Sequence, residues 1–198
     1  MTGQSIEIGS FVGAVRSVWA VEGPGRLRDS LAAAMRDAIA LGFPLLPPEP
    51  GPAPPALLAA LGLDGRRVVD SARNGSRHLV RLASEAEVRC LAPDFGQLRA
   101  FAGSVAVTAT AAGGGADFVS RYFAASVGID EDPVTGSIHC LLAPYWGEVL
   151  GTRRLRAVQA SARSGRLDLT VHDDRVELAG TAVTIFKARL TREAAPPT

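Results

Sequence analysis

The sequence predicts an α+β fold in which a mainly antiparallel sheet is wrapped around a central helix. Three observations carry that reading. Strand-like runs meet at hairpin turns: Asn74-Gly75 between RRVVDSA and RHLVRLA, and Asp173-Asp174 between GRLDLTV and RVELAGTAVTIFKARL. SVAVTATAA alternates as a further strand. One run, from Thr135 to about Leu150, reads as a hydrophobic helix, and the strands around it join through hairpins rather than regular strand–helix–strand crossovers.

In chain order, residues 1–41 carry apolar positions at Ile6, Ile8, Val12, Val15 and Val18 to Val21, broken by Gly23-Pro24-Gly25. LRDSLAAAMRDAIAL, Leu27 to Leu41, reads locally as a helix because Ala, Leu and Met dominate it. Seven prolines from Pro44 to Pro55 then impose an extended linker, the best place for a boundary between residues 1–41 and a domain over 42–198. A short helix is expected at Ala56 to Leu61, followed by the first hairpin and a strand from Glu87 to Leu91. Asp94 is placed to cap a helix through Ala102. The Gly113-Gly114-Gly115 turn leads into DFVSRYFAAS, another strand. After the long helix come RLRAVQASA, GRLDLTV and a last run bent at Gly180, and the tail REAAPPT is expected to fray.

Composition narrows the function classes. With 47% hydrophobic and 21% charged residues, the 198-residue chain can bury a sizeable core. A formal charge of +1, with arginines scattered, offers neither nucleic acid nor an anionic membrane a surface to bind. Cys90 and Cys140 form no disulfide framework and no metal-ligand spacing, so no metal is expected. MTGQSIEIGS has no signal-peptide pattern, and no run approaches the roughly 18 apolar residues that span a bilayer. A cytoplasmic protein is expected.

One stretch carries chemistry: Gly128-Ile-Asp-Glu-Asp-Pro-Val-Thr-Gly-Ser-Ile-His-Cys. A strand ends near Ser126, an acidic turn stiffened by Pro133 follows, and Thr135, Gly136 and Ser137 open the apolar helix. The free N–H groups of a first helical turn and the positive end of its dipole suit an anion such as a carboxylate. Gly136 would let a ligand approach the backbone, Ser137 adds a hydroxyl, and Asp132 stands where it can accept a hydrogen bond or act as acid/base. The same residues also satisfy ordinary helix capping, so a purely structural reading stays open. His139 reads as a packed or capping histidine, Cys140 as a buried thiol, and Asp130 and Glu131 as a solvated turn.

FVSRYFAASVGIDEDPVTGSIHCLLAPYW closely resembles the signature of the PhzF-like phenazine-biosynthesis isomerases, which have a diaminopimelate-epimerase-like fold. LGTRRLRAVQASARSGRLDLTV, RVELAGTAVTIFKARL, VRCLAPDFGQL and LGFPLLPPEP extend the likeness from about Leu41 to Leu190. The resemblance implies two pseudo-symmetric halves with a cleft between them, into which both helix N-termini point. It implies proton transfer next to a substrate carboxylate, without any cofactor. This chain's share would be Asp132 as a catalytic residue, with Thr135, Gly136, Ser137, Gly165 and Arg166 binding substrate. For the last two, a tight turn and a surface ion pair are equally open readings.

The family's acid/base Glu lies in an Asn-Leu-Ser-Glu-Thr-like strand, and a Cys-Gly-His-Ala-Thr-like turn opens its first-half helix. Neither occurs here: the histidines are His78, His139 and His172, none after Cys-Gly. Residues 1–41 are then expected to be a degenerate remnant of the first half, with LAAAM and AIALGF as hairpin strands rather than one helix. Three readings follow: an isomerase or epimerase acting on a small carboxylate; a non-catalytic homologue that keeps the carboxylate site; and a chain, in the simplest case a homodimer, whose missing wall comes from a partner.

Overall fold

The computed structural model describes residues 38–181, and Ala40–Gly180 lie in one compact unit. The strands are β1 (Ala38–Pro44), β2 (Glu49–Pro50), β3 (Val68–Asn74), β4 (Arg77–Leu82), β5 (Ser104–Thr110), β6 (Phe118–Phe123), β7 (Arg154–Gln159), β8 (Gly165–Val171) and β9 (Arg175–Thr181). The helices are α1 (Pro55–Ala60), α2 (Glu85–Arg89), α3 (Phe95–Ala100) and α4 (Gly136–Leu150). All nine strands belong to one sheet, in the order β1-β9-β8-β7-β6-β5-β4-β3-β2.

The hairpin signals act as expected: Asn74 pairs with Arg77 across the β3–β4 turn, and His172 N–H donates to Arg175 across the β8–β9 turn at 2.8 Å. Two junctions differ from the sequence reading. β4 runs parallel to β5 and β6 parallel to β7, because α2 with α3, and then α4, carry the chain across the sheet. The strand expected at Glu87 to Leu91 is replaced by α2. Its start is a capping box in which the Ser84 hydroxyl accepts from Glu87 N–H and the Glu87 carboxylate accepts from Ser84 N–H. At Ala38–Pro44 the sheet prevails over local helix propensity, in line with the AIALGF strand that the resemblance implies. Residues 1–37 and the end of the last expected strand, beyond Thr181, lie outside the described residues.

β1 and β2 occupy opposite edges of the sheet yet are consecutive in the chain. Pro44 and Glu49 are five Cα steps apart, so those strand ends lie within about 18 Å. The sheet must therefore curl nearly closed, and α4 fills it. The proline-rich segment is fastened along this seam. Leu45 N–H donates to Asp174 and Leu46 N–H to Cys140, both at 3.1 Å, while Asn74 Nδ2 donates to Pro47 at 3.0 Å. The Leu46 bond has a cause inside α4: Pro144 has no N–H, so the Cys140 carbonyl four residues before it needs a donor from elsewhere.

Both faces of the sheet are covered. Ile138, Leu141, Leu142 and Trp146 of α4 pack with Phe118, Leu155, Leu169 and Val176 inside the curl. Trp146 stacks on Phe118 at 5.4 Å, donates from Nε1 to Thr108 Oγ1 at 3.0 Å and carries the Arg81 guanidinium over its ring at 4.9 Å. On the outer face, α1, α2 and α3 pack through Leu57, Leu61, Val88 and Leu98 against Val80, Val105, Val107, Val119 and Phe123.

Candidate functional site: the turn before the central helix

Each acidic residue of the turn between β6 and α4 is held. Asp130 accepts from Arg99 Nη2 at 2.6 and 2.7 Å. Glu131 forms a bidentate pair with Arg121, Nε to Oε1 at 2.7 Å and Nη2 to Oε2 at 2.8 Å, with the two side chains only 19% and 12% exposed. Arg121 Nη1 also donates to the Leu91 carbonyl at 2.7 Å, just past the end of α2. The solvated turn expected of Asp130 and Glu131 is thus corrected at Glu131, whose carboxylate is largely buried against Arg121, while Asp130 stays partly exposed in a surface pair with Arg99. Asp132 accepts from the Thr135 hydroxyl, and its N–H donates to Tyr122 at 3.1 Å.

Thr135 stands at the N-cap of α4 without capping it, and among the described residues no side chain accepts from the first-turn amides. Its hydroxyl is turned to Asp132, and its N–H donates to Gln159 Oε1 at 2.9 Å. The other end of the buried Gln159 amide donates to the Asp132 carbonyl at 2.6 Å and to Thr135 Oγ1 at 3.3 Å. The Thr135 carbonyl meets His139 Nδ1 at 2.7 Å, which fixes the proton on that nitrogen. His139 is fully buried beside Phe118, and burial pushes its pKa down to about 4. It is a neutral core histidine. Burial pushes the Cys140 thiol up to about 11, so it stays protonated.

Gly136 and Ser137 are half-buried. A β-carbon on Gly136 would meet only ordinary contacts, Leu178 at 3.7 Å and Phe43 at 4.0 Å, so packing does not demand glycine there. Gly165 is different. It pairs with Gln159 across β7–β8, and a β-carbon would lie 2.2 Å from Val134 Cγ2. Its glycine makes room for the turn, while the left-handed residue of the neighbouring bend is Ser164, at φ 53°. Arg166, one residue on, is exposed and points to the opposite sheet face from Gly165; among the described residues it makes no ion pair. Gly165→Ala is expected to cost about 1–3 kcal/mol through this overlap. Combining it with Val134→Ala should recover most of the loss in a denaturant titration; no recovery would place the cause elsewhere.

Two concavities, about 360 and about 290 Å³, flank the other half of α4, at Pro144, Gly147 and Gly151 and at Tyr145, Glu148 and Val149 respectively. Neither is lined by a residue of the 130–137 turn. Among the described residues no His, Cys, Asp and Glu group could hold a metal, and no helix is long and apolar enough to cross a membrane.

Gln159 and Arg121 escaped the sequence reading, although both carried a signal. Arg121 is a charged residue inside a strand otherwise rich in apolar residues, and Gln159, at the end of β7, shares the inward parity of Leu155 and Ala157.

A curled mixed sheet around one helix, entered through a DPVTGS turn, defines the class to which the comparisons assign the chain. Residues 29–188 match the family described as "Phenazine biosynthesis-like protein", and the chain belongs to that family. An uncharacterized isomerase of Pseudomonas aeruginosa is 43% identical over 155 residues, covering 78% of this chain and 58% of its own length. A solved PhzF-family phenazine biosynthesis protein of Enterococcus faecalis superposes with a TM-score of 0.69 at 38% identity, covering 77% of this chain and 57% of that one. A putative phenazine biosynthesis PhzC/PhzF protein of Clostridium difficile superposes at 0.66 with 32% identity, covering 78% and 58%. The chain thus spans less than two thirds of the length of these relatives.

Proposed function

We propose that this chain forms the carboxylate-binding wall of a PhzF-like isomerase site, acting without a cofactor on a small carboxylate-bearing molecule. The observation that carries the reading is the start of α4. Its N-cap hydroxyl is turned away, and its first-turn amides meet no capping side chain among the described residues. A substrate carboxylate would lie against the amides of Gly136 and Ser137 and the Ser137 hydroxyl, with Asp132 and Thr135 at the rim and Gly165 shaping the turn from behind. Proton transfer needs an opposing acid/base, and with the family's Glu motif absent from this sequence it would come from a partner chain.

A second reading, carboxylate binding without catalysis, is favoured by a specific observation. Asp130 and Glu131, the carboxylates nearest in sequence to Asp132, are paired with arginines and do not offer a replacement base. Losing a positioned acid/base typically costs about 10²–10⁴-fold in rate. The test is proton–deuterium exchange by NMR in D₂O with a panel of small amino and hydroxy acids, beside an Asp132→Asn/Ser137→Ala variant. Deuterium entering a substrate carbon, and absent with the variant, is the result expected of an isomerase. Saturable binding without exchange would select the non-catalytic reading, and no binding of any acid would overturn both.

A further inference from the structure

We propose that Gln159 is the positioning residue of the carboxylate site: it keeps the Thr135 hydroxyl from capping the helix and so leaves the first-turn amides to the ligand. The inference rests on the reading of the α4 start as that site. A threonine at an N-cap ordinarily turns its oxygen to the N–H two or three residues on, since this satisfies an amide that has no partner in the helix. Thr135 does not. Its N–H is taken by Gln159 Oε1 at 2.9 Å, and its hydroxyl is held between Gln159 Nε2 at 3.3 Å and the Asp132 carboxylate.

The orientation of the glutamine amide is unique. Flipped, it would set donor against the Thr135 N–H and acceptor against the Asp132 carbonyl, which now receives Nε2 at 2.6 Å. The side chain is fully buried, and no described group besides Asp132 and Thr135 takes its hydrogen bonds. Gln159 is locked from β7 by its strand, and β7 is locked against β6, where Ser120 is its partner in register. A rigid sheet residue thereby sets the rotamer of a threonine at the rim of the proposed site. Without it, the lone pairs of the hydroxyl have no donor and only its bond to Asp132 orients it, so Thr135 would turn its own oxygen to the amides that a carboxylate needs.

The test compares the full chain with Gln159→Met, which fits the same space without polar atoms, and with Gln159→Met/Thr135→Val, which has no hydroxyl to cap with. Sodium benzoate is titrated while the ¹⁵N–¹H signals of Gly136, Ser137 and Ile138 are followed, and thermal unfolding reports whether each variant is folded. Gln159→Met is expected to fold, to bind benzoate about 10-fold more weakly, the equivalent of one charge-assisted hydrogen bond, and to show a newly protected Ser137 or Ile138 amide before any ligand is added. The double variant, which has no hydroxyl to cap with, should lose that protection. Unchanged amides and unchanged binding in Gln159→Met would overturn the inference, as would a double variant that keeps the protected amide of the single one. If the unaltered chain does not respond to benzoate, it is the carboxylate reading that fails. The amides of the free variants then still decide whether Gln159 governs the cap. Should Gln159→Met unfold, Gln159→Glu, which keeps the acceptor for the Thr135 amide but has no donor for its hydroxyl, is read in the same way.

Discussion

Replacing Arg121 by methionine is expected to lower the unfolding free energy by about 3 kcal/mol, because it strands a carboxylate away from water. Glu131 receives both of its close donors from this guanidinium, and only 19% of its side chain is exposed. Arg121 is also the donor for the Leu91 carbonyl at 2.7 Å, so its loss opens the join between α2 and the β6–α4 turn. A denaturant titration measures the effect, and a paired variant separates its parts. Arg121→Met/Glu131→Gln removes the stranded charge and is expected to regain about 1–2 kcal/mol, leaving the loss that belongs to the carbonyl and the packing. A double variant no more stable than the single one would mean that the ion pair does not hold the turn. The consequence for function is indirect but definite: Glu131 immediately precedes Asp132, so freeing it loosens the rim of the proposed site.

The parts of the fold that were legible in the sequence are those whose signals are local. Asn74-Gly75 and Asp173-Asp174 turn hairpins because their side chains tolerate tight backbone geometry, and the apolar run after Thr135 is a helix because nearly every face of it is buried. The strand expected at Glu87 to Leu91 failed although the contrary signal was present: Ser84-x-x-Glu87 is a capping box, and Val88 with Leu91 suits one buried stripe of a short helix as well as a strand. At Ala38–Pro44 the deciding factor is not local. Ala and Leu favour helix, and only pairing within the curled sheet makes them a strand. The proline-rich stretch was expected as a linker because prolines leave few donors. The N–H groups of Leu45, Leu46 and Gly51 prove to be spent on the domain itself, and the partner of Leu46 could have been anticipated from Pro144, which leaves the Cys140 carbonyl open.

For the site, the residues of the turn were legible and their partners were not. Asp132, Thr135, Gly136 and Ser137 lie together because they are neighbours in the chain. Gln159 reaches them from 24 residues beyond Thr135, and Arg121 meets Glu131 from the preceding strand, by tertiary contacts that no local pattern encodes. Gly165 was expected for a turn or for the cleft, whereas its contact with Val134 gives it a packing role. Arg166 is placed on the far face by the alternation of β8, a consequence visible only once the strand's register is known.

His139 supplies the second large effect, and its sign follows from its surroundings. In the folded chain the ring is fully buried, donates from Nδ1 to Thr135 and has no partner for Nε2 among the described residues, so a second proton would charge a group that nothing solvates. Burial therefore lowers its pKa from 6.5 to about 4. The unfolded chain takes up the proton near pH 6.5, and the folded chain does so only near pH 4. Between those values the unfolded state binds more protons, so stability rises with pH across the window. The contribution is fully present above about pH 6.5 and is lost as pH falls to 4, on the order of 3 kcal/mol in all. His139→Gln keeps a donor for the Thr135 carbonyl without a titrating ring. Subtracting its unfolding free energy from that of the parent at each pH isolates the histidine. The difference is expected to slope upward from pH 4 to 6.5 and to level off above. A flat difference would show that the ring is protonated as readily in the folded chain as in the unfolded one. It would then not be the dry, neutral support of Thr135 that the helix start requires.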